Sequence, residues 1–476
     1  MKKRRSNKFN ALLMWTAVIL ALVVGTYVIV SVMIGSDGLF VGNFLKISER
    51  MWHMILFLLC FLDGMLFVFW IVGRSAENRT KKLARAAKRA IDTVSETQAE
   101  RRAQANARDL QLSVGASGDG VRFFRLCAID EAEEREPDYR EDVDLCKLCE
   151  DFRNYAASKK GLYYDIKTVR SFVAGLAVSR LVIFQGMSGT GKTSLACAFG
   201  DFLKNPSVLI PVQPSWKEKT DLVGYFNEFT KNYNETELLA RIYEAGGNRK
   251  MYVTVLDEMN IARVEYYFAE FLSVLEMPDP ERRLIEIVSD SLPNDPKRII
   301  DGKIKLPENM WYVGTANNDD STMAISDKVY DRAMIIDLDR RALPFDAPET
   351  EPYAVSYDKL AALVTSAKRR YGLTLRNRRR IERLDAYLIE NLGITFGNRI
   401  MRQIESYVPV YVACGGSELE AIDTVLAKKV LRKLESKNPV YVRNAASALS
   451  LYLDELFSEG SMPVCRAMLA KFDSQK

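Results

Sequence analysis

The chain has 476 residues, which is too long for one ordinary domain and predicts two or three, each with enough residues to bury a core. Its 67 lysines and arginines against 62 aspartates and glutamates leave a net charge of +5, which is small for a surface that coats nucleic acid. The single histidine, His53, excludes histidine-based catalytic triads and histidine metal sites from the rest of the chain.

Two apolar segments near the N-terminus are typical of membrane-spanning helices. Residues 11–34 carry no charged side chain and residues 51–73 carry only His53 and Asp63, so each can cross about 30 Å of hydrocarbon. A cleaved signal peptide is the alternative, but the first segment is too long for a typical apolar signal core and a second span follows almost at once. Lysines and arginines cluster before the first span and after the second, which predicts that both termini are cytoplasmic. We expect a two-span anchor over residues 1–74 in a cell membrane, in particular a bacterial inner membrane.

Asp63 lies in the middle of the second span, where a charged side chain is costly unless it is paired or reaches water. A helix-packing or ion-conducting site and a protonated or water-accessible aspartate are both compatible with it. Whether the two spans form a pore or only an anchor stays open at this stage.

Residues 75–120 predict a polar helix followed by a flexible linker. The helix is rich in Ala, Arg, Lys, Gln and Glu with a short, weak coiled-coil seam, and the glycines and serines of residues 113–120 end it. Because its basic face lies beside the membrane, we expect it to meet anionic lipid and not nucleic acid.

Residues 121–164 predict an extension that precedes the main folded part. Residues 121–130 are a short strand candidate, the acidic residues 131–142 a solvated loop, and two helical patterns follow. Cys146 and Cys149 have the spacing of a metal or redox pair, but no second such pair accompanies them. Cys149 falls on the apolar face of its helix, so we interpret it as a core residue.

The segment 186–193 reads Gly-Met-Ser-Gly-Thr-Gly-Lys-Thr, follows an apolar run at 181–184 and opens a helical pattern. This strand, loop and helix order is what the GxxxxGK[ST] phosphate-binding loop requires. The glycines allow successive backbone N–H groups to point at phosphates, while the lysine reaches the β and γ phosphates and the threonine holds Mg²⁺. The predicted nucleotide-binding residues are Gly186, Ser188, Gly189, Thr190, Gly191, Lys192, Thr193 and Ser194.

Buried-strand candidates alternate with helices after this loop, at residues 208–212, 251–256, 310–314 and 334–338, with a strong helix predicted over 262–275. Such alternation predicts a parallel sheet covered on both faces. Residues after about 356 read mainly as helices, including 358–371, 377–391 and 419–434. We expect a separate helical domain there.

Asp257 and Glu258 end one of the predicted strands. An aspartate at that position can hold Mg²⁺ through water, and the next carboxylate can orient and deprotonate the water that attacks a γ phosphate. The predicted metal ligands are therefore Thr193 and Asp257, and Glu258 is the predicted catalytic base.

With these motifs the chain resembles an AAA+ ATPase, and more narrowly the MoxR and McrB-like branch. The resemblance covers roughly residues 165–435. It is carried by 189–193 (Gly-Thr-Gly-Lys-Thr), 256–264 (Leu-Asp-Glu-Met-Asn-Ile-Ala-Arg-Val) with Phe268, Leu275 and Glu276 behind it, 313–318 (Val-Gly-Thr-Ala-Asn-Asn), 213–216 (Gln-Pro-Ser-Trp) and 221–225 (Asp-Leu-Val-Gly-Tyr).

The resemblance implies three further catalytic residues. Asn317 matches the first sensor, which positions the attacking water, and Arg332 matches an arginine finger that reaches the neighbouring subunit's nucleotide. Arg399, within Phe-Gly-Asn-Arg, resembles the second sensor, with Arg402 as the alternative. Ile261 stands where the McrB-like pattern usually has arginine, so we expect ATP and not GTP as the nucleotide.

The resemblance also implies the architecture. We expect an α/β P-loop NTPase core of the AAA+ type over residues 165–345 and a helical lid over 346–476, preceded by the two transmembrane helices and the polar linker. The expected function is ATP hydrolysis with Mg²⁺ at the subunit interfaces of a ring, most simply a homo-hexamer. The ring would remodel a protein client that the sequence does not identify. Tyr225 and Phe226, in an expected hairpin insert, are candidates to face that client, with burial as their alternative.

Two other functions remain open. In the first, nucleotide occupancy sets the assembly state of a membrane signalling scaffold with little turnover. The second is an McrB-like, GTP-dependent motor that acts with a nuclease partner in defence. We expect the ATPase part to lie in the cytoplasm.

Overall fold

The computed structural model describes residues 121–132, 136–317 and 322–474. The two predicted membrane spans, Asp63 and the polar linker all lie outside these ranges. Within them, every helix is too short or too polar to cross a bilayer.

Three helices precede the sheet: α1 (Phe124–Glu131), α2 (Leu145–Lys160) and α3 (Ile166–Leu176). The strand predicted over residues 121–130 is wrong, because most of this segment is α1. The Glu235 carboxylate, 110 residues away, accepts the backbone N–H groups of Arg125 and Leu126 at 2.8 Å. These are N–H groups of the first turn, which have no partner inside a helix, so a distant carboxylate stabilises this helix end.

The central part alternates strands and helices. In chain order its elements are β1 (Leu181–Gly186), α4 (Lys192–Phe202), β2 (Val208–Pro211), α5 (Thr220–Val223), β3 (Gly224–Asn227), β4 (Asn232–Glu235), α6 (Glu237–Ala245), β5 (Tyr252–Asp257), α7 (Val264–Tyr267), α8 (Ala269–Val274), β6 (Leu284–Glu286), β7 (Ile299–Ile300), β8 (Lys303–Lys305), β9 (Met310–Asn317), α9 (Asp327–Tyr330) and β10 (Met334–Asp337).

Five strands form one parallel sheet in the order β10-β1-β9-β5-β2. Alternate residues of each strand face opposite sides, so Val182 and Phe184 join one apolar core while Leu181 and Ile183 join the other. Burial on both faces explains why the strands read as continuous apolar runs. The α/β part of the predicted fold class is confirmed.

The helix predicted over residues 262–275 is broken into α7 and α8 at Phe268, whose backbone leaves the helical region at φ −105° and ψ 6°. Its ring is fully buried against Phe271 and Tyr312. The antiparallel sheet β6-β8-β7 that follows was not predicted, since strands of two or three residues are too short to show alternation.

In the described residues after β10, the regular elements are helices: α10 (Tyr357–Arg370), α11 (Leu375–Leu392), α12 (Gly397–Ala413), α13 (Glu418–Val425), α14 (Pro439–Phe457) and α15 (Pro463–Ser474). The helices predicted over 358–371 and 377–391 are confirmed as α10 and α11. The one predicted over 419–434 is an α-helix only as far as Val425.

A π-helical turn, Leu426–Val430, and a 3₁₀ helix, Leu431–Ser436, continue α13. The buried Lys429 lies in the π turn, and its ammonium donates to the backbone carbonyls of Tyr330 (2.7 Å), Asp331 (3.3 Å) and Ala333. These hydrogen bonds tie the helical part of the chain to the segment between α9 and β10.

Candidate functional site

The carboxyl ends of β1, β5 and β9 meet at one edge of the sheet, because the three strands are parallel and adjacent. A cavity of about 300 Å³, the loop cavity, lies there. Its lining includes Ser188 to Ser194 from the glycine-rich loop and α4, Asp257 and Glu258 from the end of β5, and Thr315 and Asn317 from β9. Most of the predicted site residues therefore come together, as expected for a ligand site at the carboxyl ends of parallel strands.

Glycines shape the loop between β1 and α4. Gly189 and Gly191 have φ values of 79° and 93°, a region that side chains with a Cβ rarely adopt. At Gly186 a Cβ would lie 2.5 Å from the carbonyl oxygen of Leu338, so only glycine fits. The loop leads directly into α4, whose first-turn N–H groups and positive dipole end favour an anion.

Lys192 and Thr193 begin α4 on the cavity side. The Lys192 side chain is 6% exposed, and its ammonium donates to the carbonyl oxygens of Gly186 (3.0 Å) and Met187 (2.8 Å). The Thr193 hydroxyl donates to Asp257 Oδ1 at 2.7 Å. The Lys192 ammonium therefore lies at the base of the loop, near the paired oxygen atoms of Thr193 and Asp257.

Thr315 is a site residue that lies within the 313–318 motif but had no role predicted for it. Its hydroxyl donates to Asp257 Oδ1 and accepts the backbone N–H of Glu258, each at 2.8 Å. The Glu258 backbone is left-handed, with φ 52° and ψ 46°, a strain of about 1–3 kcal/mol that persists only where neighbouring groups enforce it. The sequence does contain a signal for this role. Thr315 is a polar residue in an otherwise apolar strand, and it lies two residues before Asn317 and so on the same face.

Asn317 faces Glu258 across the cavity, with its side-chain Nδ2 3.3 Å from Glu258 Oε1. Asn260, which is 5% exposed, holds the Asn317 backbone by donating to its carbonyl (3.0 Å) and accepting its N–H (3.3 Å). Glu258 and Asn317 are the pair that would orient a water molecule. Hydrogen bonds hold the backbone of each, from Thr315 to Glu258 and from Asn260 to Asn317.

Two further lining groups carried no sequence signal. The buried Tyr164 hydroxyl donates to the Gly191 carbonyl at 3.1 Å, and burial raises the pKa of Tyr164, so this group stays a neutral donor. Arg341, exposed after β10, adds a positive charge to the same cavity. Both are separated from the loop motif in sequence, and only the fold brings them to it.

The two predicted catalytic arginines are not in this cavity. Arg332 and Arg399 line a second cavity of about 600 Å³, the arginine cavity, which shares no described lining residue with the first. Both pair with Glu276: Arg332 Nε lies 2.9 Å from Oε2, without hydrogen-bond alignment, and Arg399 Nε lies 3.1 Å from Oε1. Arg402, the alternative second sensor, lines the same cavity and donates to the Asn398 carbonyl.

The expected hairpin insert is present as β3 and β4, paired antiparallel. Tyr225 is 50% exposed, whereas Phe226 is half-buried under the Arg122 guanidinium. Phe229, in the turn, is 99% exposed. Of the two aromatic residues predicted to face a client, Tyr225 is the more accessible.

The residues at the base of the loop fit Mg²⁺. Magnesium prefers oxygen ligands and keeps several waters, and the Thr193 hydroxyl and the Asp257 carboxylate supply such oxygens side by side. No cysteine is among the described residues that line this cavity, and Cys149 is fully buried in the apolar core, as its helical pattern predicted.

A parallel sheet, a glycine-rich loop running into a helix, a lysine and threonine at that helix start and an acidic pair on the nearby strand together define an α/β P-loop core. No model of a known family matches the chain, and no curated protein matches it. Among solved structures, a candidate ATPase from Cytophaga hutchinsonii is similar at 10% identity and a TM-score of 0.43, with 64% of this chain and 92% of that one covered. A full-length MCM homologue from Methanopyrus kandleri is similar at 14% identity and a TM-score of 0.33, with 62% of each chain covered. We therefore take the function from the geometry of the site.

Proposed function

We propose that this chain is a membrane-anchored AAA+ ATPase that hydrolyses ATP at the interfaces of a ring, most simply a hexamer, and uses the cycle to remodel a partner protein. One observation carries the proposal: the predicted phosphate-binding groups and the predicted catalytic arginines lie in separate cavities of one chain. A second copy that presents its arginine cavity to the first copy's loop would complete the site, and head-to-tail contacts of this kind close into rings.

Each group in the loop cavity has a chemical task in this proposal. Lys192 exchanges the Gly186 and Met187 carbonyls for phosphate oxygens, and the Thr193 and Asp257 oxygens hold Mg²⁺, which neutralises phosphate charge when bound. Glu258 accepts the proton of the attacking water, and Asn317 orients that water. Arg332 of the neighbouring subunit offsets the charge that develops on the transferred phosphoryl group.

The anchor and the client belong to the proposal as well. The two apolar segments at 11–34 and 51–73 support attachment of the ring to a membrane with its catalytic part in the cytoplasm. The exposed hairpin residues Tyr225 and Phe229 are candidates for the surface that meets the client. Movement of the helical part against the sheet would transmit the force.

The test is Glu258→Gln in the purified full-length chain. Removal of the base should lower ATP turnover by about 10³-fold while nucleotide affinity stays within twofold, because the amide keeps the shape but cannot accept a proton. Turnover by phosphate release and affinity with a fluorescent nucleotide measure the two effects. The matched control is Glu382→Gln, an exposed glutamate on α11, which should behave as wild type. Undiminished turnover in Glu258→Gln would refute the assignment.

A further inference from the structure

The cavity that holds Arg332 and Arg399 is strongly positive. Five arginines line it, namely Arg180, Arg283, Arg332, Arg399 and Arg402, against the two carboxylates of Glu276 and Glu308. Its volume of about 600 Å³ is within the range of small-molecule sites, on the order of 300–1,000 Å³. The charge and size together suit a polyanion such as a chain of phosphates.

The carboxylates are unevenly shared. Glu308 lies 3.8 Å from Arg283, whereas Glu276 serves both Arg332 and Arg399. Arg180 is held by aromatic rings, with its guanidinium 4.5 Å from the Trp311 ring centroid. Among the described residues, no carboxylate lies within 4 Å of Arg180 or Arg402. In the part of the chain that the structure describes, Glu276 is thus the sole carboxylate that pairs with the two arginines that the resemblance identifies as catalytic.

Among the described residues, the polar contacts of the Glu276 carboxylate are those with Arg332 and Arg399. Its side chain is 30% exposed, and in the described part of the chain its carboxylate accepts no backbone N–H. Glu235 shows what a fixed carboxylate in this protein looks like, since it accepts two backbone N–H groups at 2.8 Å. A rotation of the Glu276 side chain alone would therefore release both arginines.

We propose that Glu276 is an internal competitor, a carboxylate that occupies Arg332 and Arg399 in the single chain and that the triphosphate of a neighbouring subunit must displace. This inference rests on the proposed function, because it needs a nucleotide presented by a second copy. A carboxylate carries one negative charge for two guanidiniums, whereas a triphosphate carries several, so the incoming group wins when it is correctly placed. Arg332 and Arg399 are then engaged before assembly and become available on assembly.

The competition has a quantitative consequence. If the Glu276-bound state makes up about 90% of single chains, the apparent affinity of the arginine cavity for phosphate is lowered about tenfold. Removal of the Glu276 carboxylate should therefore raise the apparent affinity for phosphate about tenfold. A purely structural Glu276 would behave in the opposite way, since its loss would misplace the arginines and weaken anion binding.

The first measurement uses tripolyphosphate as a probe of the full-length chain with Lys192→Ala, which disables the loop cavity. Calorimetry should show about tenfold tighter binding when Glu276→Gln is added. When Arg332→Ala and Arg399→Ala are also added, the binding of tripolyphosphate should be abolished. The matched control is Glu308→Gln, which removes a carboxylate from the same cavity but leaves the two arginines paired, and should change the affinity less than twofold. Unchanged or weaker binding in Glu276→Gln, or an equal gain in Glu308→Gln, would overturn the inference.

The second measurement follows assembly with ATP in the Glu258→Gln background, by sedimentation of the detergent-solubilised chain. Glu276→Gln should lower the protein concentration at half-assembly about tenfold. An unchanged or higher concentration would overturn the inference for chains that do assemble. If the chain binds tripolyphosphate as expected but neither assembles nor hydrolyses ATP, the proposed ring fails while Glu276 remains the competitor of an anion site.

Discussion

The loop cavity and the arginine cavity are built in different ways. In the loop cavity, the active side chains are held by hydrogen bonds to buried groups, such as Thr315 at 2% exposure and Asn260 at 5%. In the arginine cavity, Arg332 and Arg399 share one carboxylate and stay partly exposed. The first arrangement is typical of groups that are preorganised for chemistry within one chain, and the second of groups that wait for a ligand from outside.

The two cavities also differ in their dependence on the C-terminal helices. The lining of the loop cavity ends at Arg341, before those helices begin, whereas α10 and α12 form one side of the arginine cavity. The loop that carries Arg332 is held by Lys429 and by Gln403 Nε2, which donates to the Asp331 carbonyl at 3.0 Å. The positions of Arg332 and Arg399 therefore depend directly on the helical part of the chain, whereas none of its described residues lines the loop cavity.

The largest expected effect separates the two cavities by complementation. Lys192→Ala and Arg332→Ala should each lower turnover by about 10³-fold or more, but only Lys192→Ala should lose nucleotide binding. In an equal mixture, about a quarter of head-to-tail interfaces combine an intact loop with an intact arginine, so turnover should recover in proportion. Phosphate release by mixed and unmixed proteins measures this. Absence of recovery in fully assembled mixtures would contradict an arginine that acts between subunits.

A smaller effect tests the preorganisation of the loop cavity. Thr315→Val keeps the shape of the side chain but removes the hydroxyl that joins Asp257 to the Glu258 backbone, so we expect the turnover number to fall about 10²-fold with little change in affinity. Asn317→Ala should have a similar effect through the water. Steady-state kinetics separates the turnover number from the Michaelis constant. Thr254→Val, in a buried position of β5 outside the cavity, is the control, and an equal loss there would indicate general disruption.

The smallest expected effect concerns the attachment of the arginine loop. Burial lowers the pKa of Lys429 to about 7, against 10.5 when exposed, although the nearby Asp331 opposes the shift. Between these values the unfolded chain binds more protons at this position than the folded one, so Lys429 contributes a rise in the free energy of unfolding with pH, about 1 kcal/mol from pH 8 to 9. Burial also lowers the pKa of Lys428 to about 8 and raises the pKa of the Cys149 and Cys465 thiols, so the test is the difference from wild type. Lys429→Met should lower the change between the two pH values by about 1 kcal/mol relative to wild type, as measured by urea unfolding. Lys433→Met, a partly exposed neighbour, should keep the wild-type change. A wild-type change in Lys429→Met would show that the three carbonyls keep this ammonium charged.

The amino-acid sequence by itself determined the features that are local in the chain. The phosphate loop, the acidic pair after β5 and the buried strands depend on neighbouring residues and their periodicity, so the order of residues alone is enough to locate them. The membrane spans were predicted on the same basis and stay predictions. The prediction was wrong for α1 and missed the strands β6, β7 and β8. These short elements depend on distant partners and carry little sequence pattern of their own.

Only the tertiary structure decided how the local features combine. Thr315 and Tyr164 join the loop cavity through packing, and Arg341 reaches it from beyond the last strand. The motif order placed Arg332 and Arg399 in one set of catalytic residues with Glu258, but the fold separates them and pairs both arginines with Glu276. A motif records which residue types are present, whereas an ion pair between residues distant in the chain depends on how the sheet and the helices pack. The sequence therefore determined the predicted phosphate-binding part of the site, and the packing of the chain decided where its arginines lie.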